Sequence, residues 1–162
     1  MRVKYLGPLI FFSLSFYTIT AQSVNTKLDQ IELIKSSSGT WQTIVGKDTI
    51  EKWDHQQYGN GYIVYAYQVV GKESIPQHVN IFSYDPASGK FKGFVLWQRG
   101  GFATWIGSFT DEKLLHIDFV TDLIPEKVWG SFDMIFENST SRKHLHFING
   151  RKTHEEIFTR VN

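Results

Sequence analysis

Two histidines at alternate positions, His144-Leu145-His146, and a histidine and an aspartate at the same spacing, His116-Ile117-Asp118, are where this chain has side-chain types suited to chemistry. On a β-strand alternate residues share a face, so each pair presents both groups to one side. Two imidazoles so placed chelate a transition metal only if a third ligand converges. His78 and Glu51 are further donors, but the simpler reading of His144 and His146 is an exposed polar face, and no metal or cofactor is expected. His116 beside Asp118 has the elements of acid–base catalysis, a group that titrates near neutral pH and a carboxylate to orient it. No nucleophile is marked. Ser108 and Ser131 lack a G-x-S-x-G elbow, and Asp133 either faces outward or is a buried partner for an arginine. No phosphate-binding glycine loop is present. Whether the protein is an enzyme is left open.

Aromatic residues are the stronger signal. The chain carries 13 Phe, 7 Tyr and 5 Trp. Aromatic walls with a few polar tips suit an apolar or amphipathic ligand. The candidate binding residues are Trp97, Tyr65, Tyr67 and Trp105. Arg99, in the turn Gln98-Arg99-Gly100-Gly101, is placed to meet an anionic group.

The elements that would hold these residues are strands. One helix is predicted over Asn25–Ser36, where Leu28, Ile31 and Ile34 recur at spacing three, and Gly39 stops it. Ten strands follow: Trp41–Val45, Thr49–His55, Tyr62–Val70, Gln77–Tyr84, Phe91–Gln98, Phe102–Phe109, Leu114–Thr121, Val128–Glu137, Lys143–Ile148 and Glu156–Val161. Between them lie turn residues such as Gly46-Lys47-Asp48, Asp85-Pro86-Ala87-Ser88-Gly89 and Asn149-Gly150. Short connections make successive strands antiparallel neighbours. The expected fold is all-β, an antiparallel up-and-down barrel of about 8–10 strands with a short N-terminal helix, because closure removes exposed edges. Several strands are apolar on both faces. Tyr62, Val64 and Ala66 alternate with Ile63, Tyr65 and Tyr67. One face would line the interior; the other would meet the helix or a second subunit, so a homo-oligomer is one expectation.

Residues 1–21 read as a secretory signal. Arg2 and Lys4 precede the apolar run Leu6–Tyr17, and Ala21 ends the segment. The barrel domain is then 22–162, exported to a periplasmic or extracellular location, with no stable membrane insertion after cleavage. The whole chain has 17 Lys+Arg and 16 Asp+Glu; without Arg2 and Lys4 the balance is 15 to 16, a net charge of −1. That balance excludes nucleic acid as the main partner. There is no cysteine, so the fold is held without disulfides, and a cysteine nucleophile is excluded.

Gly39-Thr40-Trp41 at the head of the first strand, and Phe158-Thr159-Arg160-Val161 near the end of the chain, resemble the pattern of lipocalins and fatty-acid-binding proteins, together the calycins. In those proteins a tryptophan on the first strand is covered by an arginine of the last. The resemblance implies that Arg160 stacks on Trp41 and closes the barrel, a contact worth about 0.5–2 kcal/mol. Tyr84-Asp85-Pro86-Ala87-Ser88-Gly89-Lys90, Gly93 to Trp97, and Trp105-Ile106-Gly107-Ser108-Phe109 are similar to exported bacterial lipocalin-like domains of unassigned function. The disulfide and remaining motifs of secreted lipocalins are missing, so the resemblance implies a barrel and no particular ligand. The function expected is an exported protein holding a small hydrophobic or amphipathic molecule inside a barrel. The alternative is a barrel enzyme, a hydrolase or isomerase, using His116 and Asp118.

Overall fold

A computed structural model describes residues 28–161; the signal read over residues 1–21 and the first residues of the predicted helix lie outside them. The ten expected strands form one closed antiparallel barrel in simple up-and-down order. They are β1 Gly39–Gly46, β2 Thr49–Tyr58, β3 Gly61–Val70, β4 Glu73–Asp85, β5 Lys90–Trp97, β6 Phe102–Phe109, β7 Leu114–Val120, β8 Val128–Phe136, β9 Ser141–Ile148 and β10 Arg151–Arg160. Turn chemistry sets the register. Asn149 (φ 50°) and Gly150 (φ 71°) both adopt the left-handed region that a two-residue hairpin needs.

Two strands begin four or more residues before the start that the sequence pattern implies. β4 begins at Glu73, before Pro76, because a register shift between Ala66 and Tyr67 accommodates the proline, and pairing with β5 begins only at His78. β10 begins at Arg151 rather than Glu156. Its first residues are polar and include a register shift between Lys152 and His154, which hides the strand period.

The helix is shorter than predicted: α1 covers Gln30–Ile34 and continues as a 3₁₀ turn over Lys35–Ser37. Asp29 caps it by accepting from the Glu32 amide. It lies across one end of the barrel. Gln30 exchanges two hydrogen bonds with the Phe109 backbone (3.1 and 2.7 Å), and Ile34 is buried in the aromatic core beside Tyr62, Phe109 and Phe136. At the other end of the barrel Trp97 and Trp129 are part-exposed.

Only two residue pairs join the first and last strands, Trp41 with Arg160 and Gln42 with Thr159. The seam is therefore the shortest ladder of the barrel, and its clasp is aromatic. The Arg160 guanidinium stands 4.5 Å from the Trp41 ring centroid, and that of Arg142 from β9 stands 4.4 Å from it. The Trp41 Nε1–H donates to the Ser37 carbonyl (2.8 Å), and an Arg160 Nη2–H to that of Ser36 (2.6 Å). The 3₁₀ turn, the first strand and the last are thus tied at one point.

Inside, a large side chain needs a facing gap. Gly93 lies beneath Trp105, and a β-carbon there would stand 2.1 Å from the indole, so only glycine fits. Trp105 in turn donates its Nε1–H to the Asn80 side chain (2.9 Å). Outside, β3–β6 carry an apolar surface: Tyr65, Ile81, Phe94, Leu96 and Phe102 are exposed, with Phe94 and Phe102 stacked at 5.3 Å. The second apolar face of these strands thus lies on the outside of the barrel, not under α1.

Candidate functional site

The interior holds a cavity of about 400 Å³ that runs from Ile34 and Ser37 beneath α1 to Trp97, Trp129 and Ile148 at the opposite end. Its walls are mostly aromatic and aliphatic, with Trp53, Phe82, Trp105, Phe119 and Phe132 among them. The polar lining is sparse and dominated by imidazoles: His55, His78, His146 and His154, with Asn80. A volume of this order, apolar and with few convergent polar groups, is the form of a small-molecule site.

Strand alternation explains who lines it. Trp41 faces inward, and cross-strand pairing carries that face through Trp53, Ala66, His78 and Trp97. Among the expected binding residues, Trp97 and Trp105 line the cavity. Tyr65 and Tyr67 flank the inward Ala66 and so lie on the outer face, Tyr65 exposed. Arg99 sits in the exposed β5–β6 turn and is not in the lining.

His144 and His146 share the inward face of β9, as their spacing implies, but not an exposed one. His144 is 0% exposed, packed against Phe158 (4.3 Å between ring centroids), Trp53 and Phe132. Among the described residues no group of three or more His, Cys, Asp or Glu side chains is placed to hold a metal ion.

His116 and Asp118 lie on the outer face, because Leu115 and Ile117 face in. Asp133 joins them from β8. His116 Nδ1 is 2.6 Å from Asp133 and Nε2 is 3.2 Å from Asp118, so one imidazole bridges two carboxylates on neighbouring strands. Part-burial works against its charge, but the Asp133 hydrogen bond and the charges of Asp118 and Asp133 outweigh this and raise its pKa above 6.5. A histidine whose pKa is raised on folding contributes stability that is complete below the unfolded value. That contribution is lost as pH rises through the folded one. His116→Gln should therefore lower the melting temperature by a few degrees at pH 6 and by less at pH 8.5. An equal loss at both pH values would mean that the bridge carries no charge.

Acid–base chemistry inside the barrel would fall to other residues. Glu156 of β10 lies between His154 (3.0 Å) and His146 (3.9 Å), both of which line the cavity. Glu51 of β2 accepts from the Trp53 indole (2.6 Å), and burial raises its pKa.

Below the cavity, at the α1 end, His55 meets Arg142. The guanidinium donates from Nη2 to His55 Nε2 (3.1 Å) and is itself 0% exposed. Neither residue stood out in the sequence. The signal was there: His55 is two residues from Trp53, on the same face, and Arg142 is two from His144.

The chain matches no protein-family model, and no curated protein is similar to it in sequence. The fold and the site therefore rest on the chain's own residues.

Proposed function

We propose that the protein is an exported binder that holds one small hydrophobic or amphipathic molecule in the barrel interior. The observation that carries this reading is the 400 Å³ apolar cavity. A barrel of this size fills its interior with side chains or leaves room for one ligand, and here the side chains leave the space between Trp53, Phe82, Trp105 and Phe132 unfilled. Export is supported by the leader-like residues 1–21, and a lipocalin-like relationship by the clasp of Trp41 under Arg160.

Titration with the uncharged fluorophore N-phenyl-1-naphthylamine tests the reading. Saturable binding of one probe per chain is expected, with quenching or a shift of tryptophan emission. Val95, buried on the cavity wall, provides the control: Val95→Trp fills the space and should weaken probe binding at least tenfold. Non-saturable uptake, or a folded Val95→Trp protein that binds as the wild type does, would sink the proposal.

A further inference from the structure

Asn80 is out of place among its neighbours. It faces inward on β4, and its cross-strand partners are Val64 of β3 and Val95 of β5, both buried and apolar. Such neighbours cannot satisfy an amide, and a part-buried polar group left without partners destabilises the fold. One atom of the amide is satisfied: the Trp105 Nε1–H donates to Asn80 Oδ1 (2.9 Å). An indole only donates, so the oxygen must face it and the orientation of the amide is fixed. Trp105 is itself held, by Gly93 beneath it and by Phe82, whose ring centroid lies 5.2 Å away. Asn80 Nδ2 therefore has a set position in the cavity wall, two N–H donors, and no hydrogen-bond partner among the described residues.

His78 stands two residues before Asn80 on the same face of β4, about 7 Å along the strand. It lines the cavity as well, and its cross-strand partners are Ala66 and Trp97. Its ring meets that of Trp53 edge to face at 5.2 Å, and it makes no ion pair among the described residues. Burial pushes its pKa down to about 4, so at neutral pH the ring carries no charge and offers one N–H and one lone pair. Among the described residues that line the cavity there is no lysine, arginine, aspartate or glutamate. The middle of the interior is therefore an aromatic chamber with a short uncharged polar strip on β4, a pair of fixed amide donors beside a neutral imidazole.

Resting on the binding reading above, we infer that the ligand is a neutral aromatic molecule whose polar edge sets a carbonyl beside an N–H or O–H, and that Asn80 and His78 read that edge. Asn80 Nδ2–H donates to the carbonyl oxygen, and the imidazole lone pair of His78 accepts from the neighbouring N–H or O–H. The ring system lies against Trp53, Phe82, Trp97 and Trp105, which line the same cavity. A ring of the same shape without the edge leaves the Asn80 donors unpaired in an apolar wall. The pair therefore selects against apolar isosteres, as sites built to hydrogen-bond a ligand do.

Carbostyril, N-methylcarbostyril and naphthalene are fused two-ring molecules that carry, in turn, both groups of the edge, the carbonyl alone, and neither. Displacement of bound N-phenyl-1-naphthylamine from the whole protein at pH 8 ranks them. The wild type should favour carbostyril over naphthalene at least threefold. Asn80→Asp keeps an oxygen for the Trp105 indole and puts a second where the donors stood. It should weaken carbostyril at least tenfold and naphthalene less than threefold. Asn80→Leu is the second variant should Asn80→Asp not fold, with the same contrast expected. His78→Phe should weaken carbostyril at least threefold and leave N-methylcarbostyril, which has no N–H to offer, within twofold. A wild type that holds the fluorophore but does not favour carbostyril would overturn the polar strip and leave the binder standing. So would a preference for carbostyril that survives substitution of Asn80, or an equal loss of both lactams in His78→Phe. Failure of the fluorophore itself to bind would overturn the binding reading.

Discussion

Acidification from pH 7 to about 4.5 is expected to strip several kcal/mol from the folding stability of this protein. Five of its six histidines face the barrel interior, and four of these are held below their ordinary pKa. Burial is the leading cause in each. The charge of Arg142 adds to it at His55 and His144, and at His146 burial outweighs the attraction of Glu156. His78 is pushed down to about 4. Unfolded, each imidazole would titrate near 6.5. Between the two values the unfolded chain binds the proton and the folded chain does not. Stability is therefore complete above about pH 6.5 and falls as pH drops, by up to about 1.4 kcal/mol per pH unit for each group. His78 alone accounts for about 3 kcal/mol by pH 4. Two groups act the other way. His116, with its raised pKa, reaches its full contribution below about pH 6.5, and the buried Glu51, whose pKa burial raises, takes up its proton above its ordinary value and is relieved of its burial as pH falls. Neither cancels four interior imidazoles. The check is the urea midpoint followed from pH 7 to 4.5. A steep fall is expected, and a shallower one in His78→Phe, which keeps a ring against Trp53 (5.2 Å between centroids) without the basic nitrogen. A midpoint that stays level over this range would mean that the interior imidazoles accept protons as readily as in water.

Trp41→Ala is expected to cost roughly 4–5 kcal/mol, the upper part of the range for a buried aromatic. The indole is 0% exposed and does three things at the barrel's shortest ladder. It fills space between two guanidiniums, presents a ring face to each, and donates to the Ser37 carbonyl. Alanine leaves a cavity between two like charges at a seam with only two residue pairs. A domain of this size has about 5–15 kcal/mol in total, so much of the protein would be unfolded under mild denaturant. Trp41→Phe keeps a ring and loses the indole N–H, and should cost about 1–2 kcal/mol. Equilibrium unfolding in urea distinguishes the two. Equal costs for Ala and Phe would mean that the hydrogen bond to Ser37, not the stacking, carries the clasp.

Much of the architecture was written locally. Alternation of β-branched and aromatic residues, broken by Gly46-Lys47-Asp48 or Asn149-Gly150, specifies strand and turn by rules that act over a few residues. Ten strands were therefore readable, and their short connections imposed the up-and-down order. Errors fell where local rules conflict: Pro76 within β4, a polar start to β10, and a helix that packing cuts to Gln30–Ile34 before a 3₁₀ turn. The pairing of Trp41 with Arg160 was implied only through likeness to a known pattern, since no local rule connects residues 119 positions apart.

The site was legible in kind but not in place. Composition pointed to an aromatic interior, and Trp97 and Trp105 do line it. A strand has two faces, and when both are apolar, as around Ala66, its own sequence does not say which one turns inward. That choice put Tyr65 on the outside and His144 at the centre of the core. The sequence by itself determined the barrel, its strand order and an interior rich in aromatic rings, because alternation and turn chemistry act between near neighbours. Only the tertiary structure decided that five imidazoles and a buried arginine share that interior, because which face of each strand turns inward is fixed by closing the sheet on itself.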